Sequence, residues 1–152
     1  MLKELLKTFL ISMLPVVELR GGLPYGIAHD LSYPVALAAA ILGNMVPVPF
    51  IILFIRRIFA WLRRISPWCD RLVTSLENRA HTKGDLVRKY SVLGLFVLVA
   101  IPLPGTGAWT GALVAALLDL RLKKAIPTIF LGVLTAAIIM TAVTYGVQAL
   151  IP

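Results

Sequence analysis

One acid and one arginine stand two residues apart in an otherwise apolar stretch, Val17-Glu18-Leu19-Arg20-Gly21-Gly22-Leu23-Pro24. Charged side chains in such surroundings are costly and normally pair, line a cavity or mark a solute path. Residues two apart on a regular helix do not face each other, so a local ion pair is a poor account of these two. Glu18 is placed to exchange a proton, and Arg20 could hold a phosphate or carboxylate with its planar fork of donors. A second unusual stretch is Ile101 to Gly111, I-P-L-P-G-T-G-A-W-T-G. Pro102 and Pro104 remove backbone donors. Gly105-Thr106-Gly107, like Gly21-Gly22, lets the backbone turn and approach a ligand closely. Broken helix ends with free N–H groups can cradle an anion. Thr106 and Thr110 add hydroxyls, and Trp109 adds an amphipathic ring. The plain alternative is that these residues only satisfy the turns.

The flanks say how such elements would be placed. Ser91 to Leu118 carries no charge and is long enough to cross a bilayer, which takes roughly 20 apolar residues. Its prolines and glycines argue against one continuous helix. Arg88 and Lys89 precede it, and Arg121, Lys123 and Lys124 follow it. Basic flanks favour the cytoplasm, so both ends belong on one side and the segment reads as a re-entrant hairpin. Leu31 to Ile55 is uncharged and reads as a membrane-spanning helix, with Asn44, Pro47 and Pro49 in its second half. Ala125 to Pro152 reads as a second one, with Pro127 at its start. Residues 1 to 17 pattern as an amphipathic helix ended by Pro15. Arg56 to Trp68 alternates basic pairs with Ile, Phe and Trp, which suits a helix lying in the inner headgroup region. Asp70 to Lys89 reads as a polar cytoplasmic segment with a break at Gly84.

Composition agrees. The chain has 152 residues, 59% hydrophobic, and a mean hydropathy of +0.91, the make-up of an integral membrane protein. Its net charge of +8 is concentrated between Arg56 and Lys89, where nine basic residues face three acidic ones. That is the positive-inside bias of a loop attracted to anionic headgroups, not a nucleic-acid footprint. One cysteine, Cys69, excludes an internal disulfide and a cysteine-rich metal site. No metalloprotease, Walker or redox motif is present, so neither an enzyme nor a cofactor is expected.

The two halves share one grammar: a short hydrophobic element broken by Gly and Pro, then a long uncharged helix. Residues 1–55 form the first repeat, 56–90 a basic interfacial segment, and 91–152 the second repeat of a single membrane domain. With the end of the first long helix inside, its start lies outside. A first hairpin would then enter from outside, although the charges also allow that element to span. The expected fold is therefore an all-α membrane protein. Two re-entrant hairpins and transmembrane helices make an inverted repeat, with the site where the interrupted segments meet.

With Glu18-Leu19-Arg20-Gly21-Gly22-Leu23-Pro24 and Pro102-Leu103-Pro104-Gly105-Thr106-Gly107-Ala108-Trp109-Thr110-Gly111, the chain resembles the prokaryotic small multi-drug export proteins, over most of its length. It is more distantly similar to the DedA superfamily. That likeness implies opposed re-entrant hairpins, undecaprenyl-phosphate chemistry and proton-dependent transport, with Glu18 matching the acid of the first hairpin and Pro104-Gly105 the Pro-Gly of the second. Where DedA members carry arginines around that Pro-Gly, this chain has Ala100, Ile101, Thr106 and Gly107.

The expected function is proton-coupled translocation of an amphiphilic anion, such as a polyprenyl-phosphate lipid, in a prokaryotic inner membrane. Glu18 would carry the proton. Arg20, Gly21, Gly22, Pro104, Gly105, Thr106, Gly107, Trp109 and Thr110 would bind the substrate. Membrane lipids are the expected partners, with a homodimer as a further possibility. The rivals are proton-coupled export of cationic drugs, and a scaffold that transports nothing.

Overall fold

The computed structural model describes residues 1–103 and 106–150, apart from the side chains of Lys83, Leu86, Val87 and Gln148. Pro104 and Gly105, expected at a hairpin tip and in the site, lie outside the described residues. The described residues form helices joined by short turns and loops: α1 (Leu2–Met13), α2 (Glu18–Ala28), α3 (Tyr33–Met45), α4 (Pro47–Ile65), α5 (Pro67–Lys83), α6 (Asp85–Tyr90), α7 (Val92–Ala100), α8 (Ala108–Leu117) and α9 (Leu122–Leu150).

Local chemistry accounts for the boundaries. Pro15 forces the preceding residue out of helical geometry, and Leu14 is extended at φ −70°, ψ 137°. Pro47 and Pro49 fall in the first turn of α4, where a missing N–H costs little. Val46 still donates to Leu42 at 3.1 Å, so α3 and α4 run on as one apolar rod, Tyr33–Ile65. Ser66 stops it: its backbone is extended, and its hydroxyl accepts from the Cys69 N–H at 3.3 Å to start α5. Among the described residues, Tyr33–Ile65 and Leu122–Val147 are the two helices long and apolar enough to cross a membrane.

Polarity is inside out. Along α1, Thr8 and Ser12 are buried while Leu2, Leu6 and Leu10 are exposed. The buried hydroxyls are satisfied on their own helix, Thr8 donating to the Glu4 carbonyl and Ser12 to the Thr8 carbonyl, both at 2.8 Å. The interior is rich in small residues, among them Ala36, Ala40, Ala108, Ala112, Ala115 and Ala137. These let helices approach closely without a large apolar core. Gly132 of α9 abuts α7 so tightly that a methyl group there would sit 2.7 Å from Val99 Cβ.

The halves assemble alike. α1 packs along α3 and also on α2, and α7 packs along α9 and also on α8. The Tyr33 hydroxyl meets that of Thr141 at 2.8 Å, which puts the start of α3 beside the later part of α9. Arg56 pairs with Asp119 at 2.8 Å and donates to the Leu117 carbonyl at 3.2 Å, which puts the end of α8 beside α4. Tyr33 and Arg56, which mark the bases of the α1–α2 and α7–α8 pairs, are therefore separated along the α3–α4 rod by roughly 35 Å at 1.5 Å per residue.

Four expectations change. The basic stretch Arg56 to Trp68 is not one separate helix: α4 continues through Arg56 to Ile65, with Phe59 buried, and the chain breaks at Ser66 before α5. The first pair turns at Leu14–Val17, not at Gly21-Gly22, which lie inside α2. α9 begins at Leu122, ahead of the uncharged run, so Pro127 lies within it. The segment after Ser66 is not uniformly polar: Val73 and Ala80 of α5 are buried.

Candidate functional site

The turn between α1 and α2 is strained. Val16 and Glu18 have φ of 75° and 48°, a region that L-residues rarely occupy and β-branched ones least of all. The Glu18 N–H is held by the Leu14 carbonyl at 3.0 Å. In this conformation the Glu18 side chain points away from its own helix and into the other half of the molecule, where it is 4% exposed.

There it meets the start of α8. The residue preceding that helix is Gly107, at φ 121°, which has no side chain to cap the free N–H groups. Glu18 supplies the cap from a distance in sequence: its Oε1 accepts from the Trp109 N–H at 3.0 Å. A negative carboxylate at the positive end of a helix is a favourable placement. Only glycine fits at 107 on two counts. The backbone is left-handed, and an added Cβ would lie 2.9 Å from the Glu18 carboxyl carbon.

Arg20 works on the other side of the same break. Its guanidinium donates to the Leu103 carbonyl, and to the carbonyl and hydroxyl oxygens of Thr106, both at 2.9 Å. The Thr106 hydroxyl in turn lies 2.7 Å from the carbonyls of Ile101 and Leu103. Trp109 adds a third tie, donating from Nε1 to the Met13 carbonyl at 3.0 Å. The acid and the arginine do not pair with each other. Each crosses to the second broken segment, one to the start of α8 and one to the loop before it.

Beside this junction is a cavity of about 400 Å³. Its polar end carries Glu18, Thr106, Trp109 and Thr110. Its apolar wall comes from Ile51, Ile55 and Phe59 of α4 and Leu113 of α8. α5 closes the remaining side with Leu76, Arg79 and Ala80. A larger depression of about 690 Å³ lies along the polar face of α5, but all its lining residues come from that one helix. The acid, the hydroxyls and residues from both halves converge on the smaller cavity.

Of the residues expected to act, Glu18, Thr106, Trp109 and Thr110 line the cavity, and Gly107 abuts Glu18. Arg20 holds the loop. Gly21 and Gly22 are helical, and Gly22 faces α1, where an added Cβ would lie 3.1 Å from the Thr8 carbonyl oxygen. The α4 and α5 walls were not anticipated. Their signals are spacings: Ile51, Ile55 and Phe59 recur every four residues, and Val73, Leu76 and Ala80 form one stripe of an otherwise polar helix.

The family model described as "Putative small multi-drug export protein" matches residues 18–139. It begins at the cap residue Glu18 and takes in Arg20, Thr106, Trp109 and the α4, α5 and α8 walls. No curated protein and no solved structure matches the chain.

Proposed function

The chain belongs to the small multi-drug export protein family, and from that premise we propose that it exports amphiphilic organic cations through the cavity at the Glu18–Trp109 junction, in exchange for protons. The observation that carries this is the lining of the cavity: one buried carboxylate and a few hydroxyls at one end, aliphatic and aromatic side chains over most of the rest, and Arg79 on the α5 side. Such a surface suits a cation with an apolar body. The two devices that would have gripped an anion are already engaged within the protein. Glu18 fills the start of α8, and the Arg20 donors are directed to carbonyls. Arg20 does not line the cavity; it stands behind Thr106, with its donors taken up by the loop.

The transport geometry we propose is an inverted repeat of two re-entrant pairs, residues 1–55 and 91–152. Helix lengths support it. α1 and α2 have 12 and 11 residues, and α7 and α8 have 9 and 10. At 1.5 Å per residue each arm is about 14 to 18 Å long, half of a roughly 30 Å hydrocarbon core. Pairs based roughly 35 Å apart along the α3–α4 rod with tips in contact fit entry from opposite faces. In the proposed cycle, protonation of Glu18 weakens its cap on α8, and the junction loosens as the cation leaves. Deprotonation restores the cap and the charge that attracts the next cation.

Arg79 on the cavity wall favours a second reading, in which the cargo is an amphiphilic anion such as a polyprenyl phosphate. Titration of purified protein with tetraphenylphosphonium, and separately with a polyprenyl phosphate, decides between them. The cation reading expects tetraphenylphosphonium to bind and Glu18→Gln to weaken it at least tenfold, about 1.4 kcal/mol. Binding of the phosphate lipid alone, lost on Arg79→Ala, would replace it with the anion reading. Binding of neither would leave the scaffold.

A further inference from the structure

α5 is attached to the bundle differently from every other element around the cavity. It packs on α4 and α8 through a narrow stripe, Val73 and Ala80 being buried. Its opposite face is open and polar, with Arg71, Thr74, Ser75 and Asn78 along one shallow depression. The connection to α4 is a single extended residue, Ser66, at φ −158° and ψ 155°. Its other end stops at Gly84, which lies against Leu118 at the end of α8. Arg63 spans the gap between α4 and α5, pairing with Asp70 at 3.6 Å and with Glu77. Asp70 and Glu77 are two turns apart on the same face of α5, so one guanidinium holds the helix at two points. The residues that α5 lays over the cavity, Leu76, Arg79 and Ala80, fall between and just beyond those points.

We infer that α5 is the gate of the cavity at the basic end of the bundle, hinged at Ser66 and latched by Arg63 to Asp70 and Glu77. This rests on the reading of that cavity as the cargo site. The other walls belong to α4 and α8, which are built into the bundle, whereas a helix held by a short apolar stripe and partly exposed ion pairs can swing without unpacking the rest. Exposed pairs of this kind are individually weak and break readily, as a latch must. Arg79 lies at the edge of the gate, lining both the cavity and the outer depression, so opening carries its charge away from the cavity and closing brings it back.

The test is the reactivity of a cysteine placed at Leu113, on the α8 wall, in detergent-solubilised protein with Cys69→Ser as background. A bulky polar maleimide is the probe. Arg63→Ala is expected to raise the labelling rate at least fivefold. Arg63→Glu combined with Asp70→Arg and Glu77→Arg is expected to return it to the slow value. An equal rate in the parent and in Arg63→Ala, with both folded by their elution and melting profiles, would overturn the gate. So would a charge-swapped variant that stays fast. The readout needs no cargo. Labelling that responds to Arg63 in a protein that binds no tetraphenylphosphonium upholds the gate and removes the export reading. Tetraphenylphosphonium binding with labelling indifferent to Arg63 does the reverse.

Discussion

A methyl group on Gly107 probes the junction at its tightest point. Alanine there must adopt φ 121° and displace the Glu18 carboxylate. A residue forced into that backbone region costs about 1–3 kcal/mol before any clash is counted. Gly107→Ala is therefore expected to lower thermal stability in detergent and to abolish tetraphenylphosphonium binding together; unchanged melting would mean that the tight approach does not exist. Glu18 separates the two effects. Glu18→Gln keeps an oxygen that can accept from the Trp109 N–H, so the fold should persist while cation binding falls. Glu18→Ala also removes the cap, at about 0.5–2 kcal/mol, and should melt lower than Glu18→Gln. Equal melting of the two variants would contradict the capping role. The sequence exposes the importance of Glu18 and Arg20, since charges in an apolar run demand partners. It hides the partners, because these are backbone groups more than 80 residues away.

At the scale of elements, close helix approach replaces a bulky core. Gly132→Val would press a branched side chain into Val99, and overpacking of this kind costs about 1–3 kcal/mol. The loss should appear as a lower melting temperature, whereas Gly146→Val should be neutral, because nothing lies within 4 Å of a Cβ at that position. If Gly132→Val also melts normally, α7 and α9 are not packed as described. The breaks in the chain were legible where proline governs them, at Pro15 and around Ile101–Gly107. They were misread where glycine serves packing: Gly21-Gly22 reads as a turn signal, yet Gly22 lies inside α2 against α1. α5 was misread for a different reason. Its few inward residues are diluted by polar neighbours, so composition points to solvent while spacing points to a packed stripe.

Over the whole molecule, the repeated grammar of broken element and long helix was visible from charge and apolar run length. The meeting of the broken elements was expected from that repetition alone, and the ties through Trp109, Glu18 and Arg20 give it a physical basis. In the proposed inverted repeat, the face from which each pair enters is set by the flanking charges, not by those ties. For the first pair the sequence itself is divided, since Lys3 and Lys7 at its base obey the positive-inside bias only if that base is cytoplasmic. The central claim is that the pairs enter from opposite faces. Its most direct test is sided labelling of single cysteines, in the Cys69→Ser background, with a membrane-impermeant maleimide on right-side-out and inverted vesicles. The account predicts that Lys3→Cys and Ser32→Cys react only from outside, and Lys89→Cys and Lys123→Cys only from inside. Reaction of Lys89→Cys and Lys123→Cys from different sides, or of Lys3→Cys and Ser32→Cys from different sides, would contradict it.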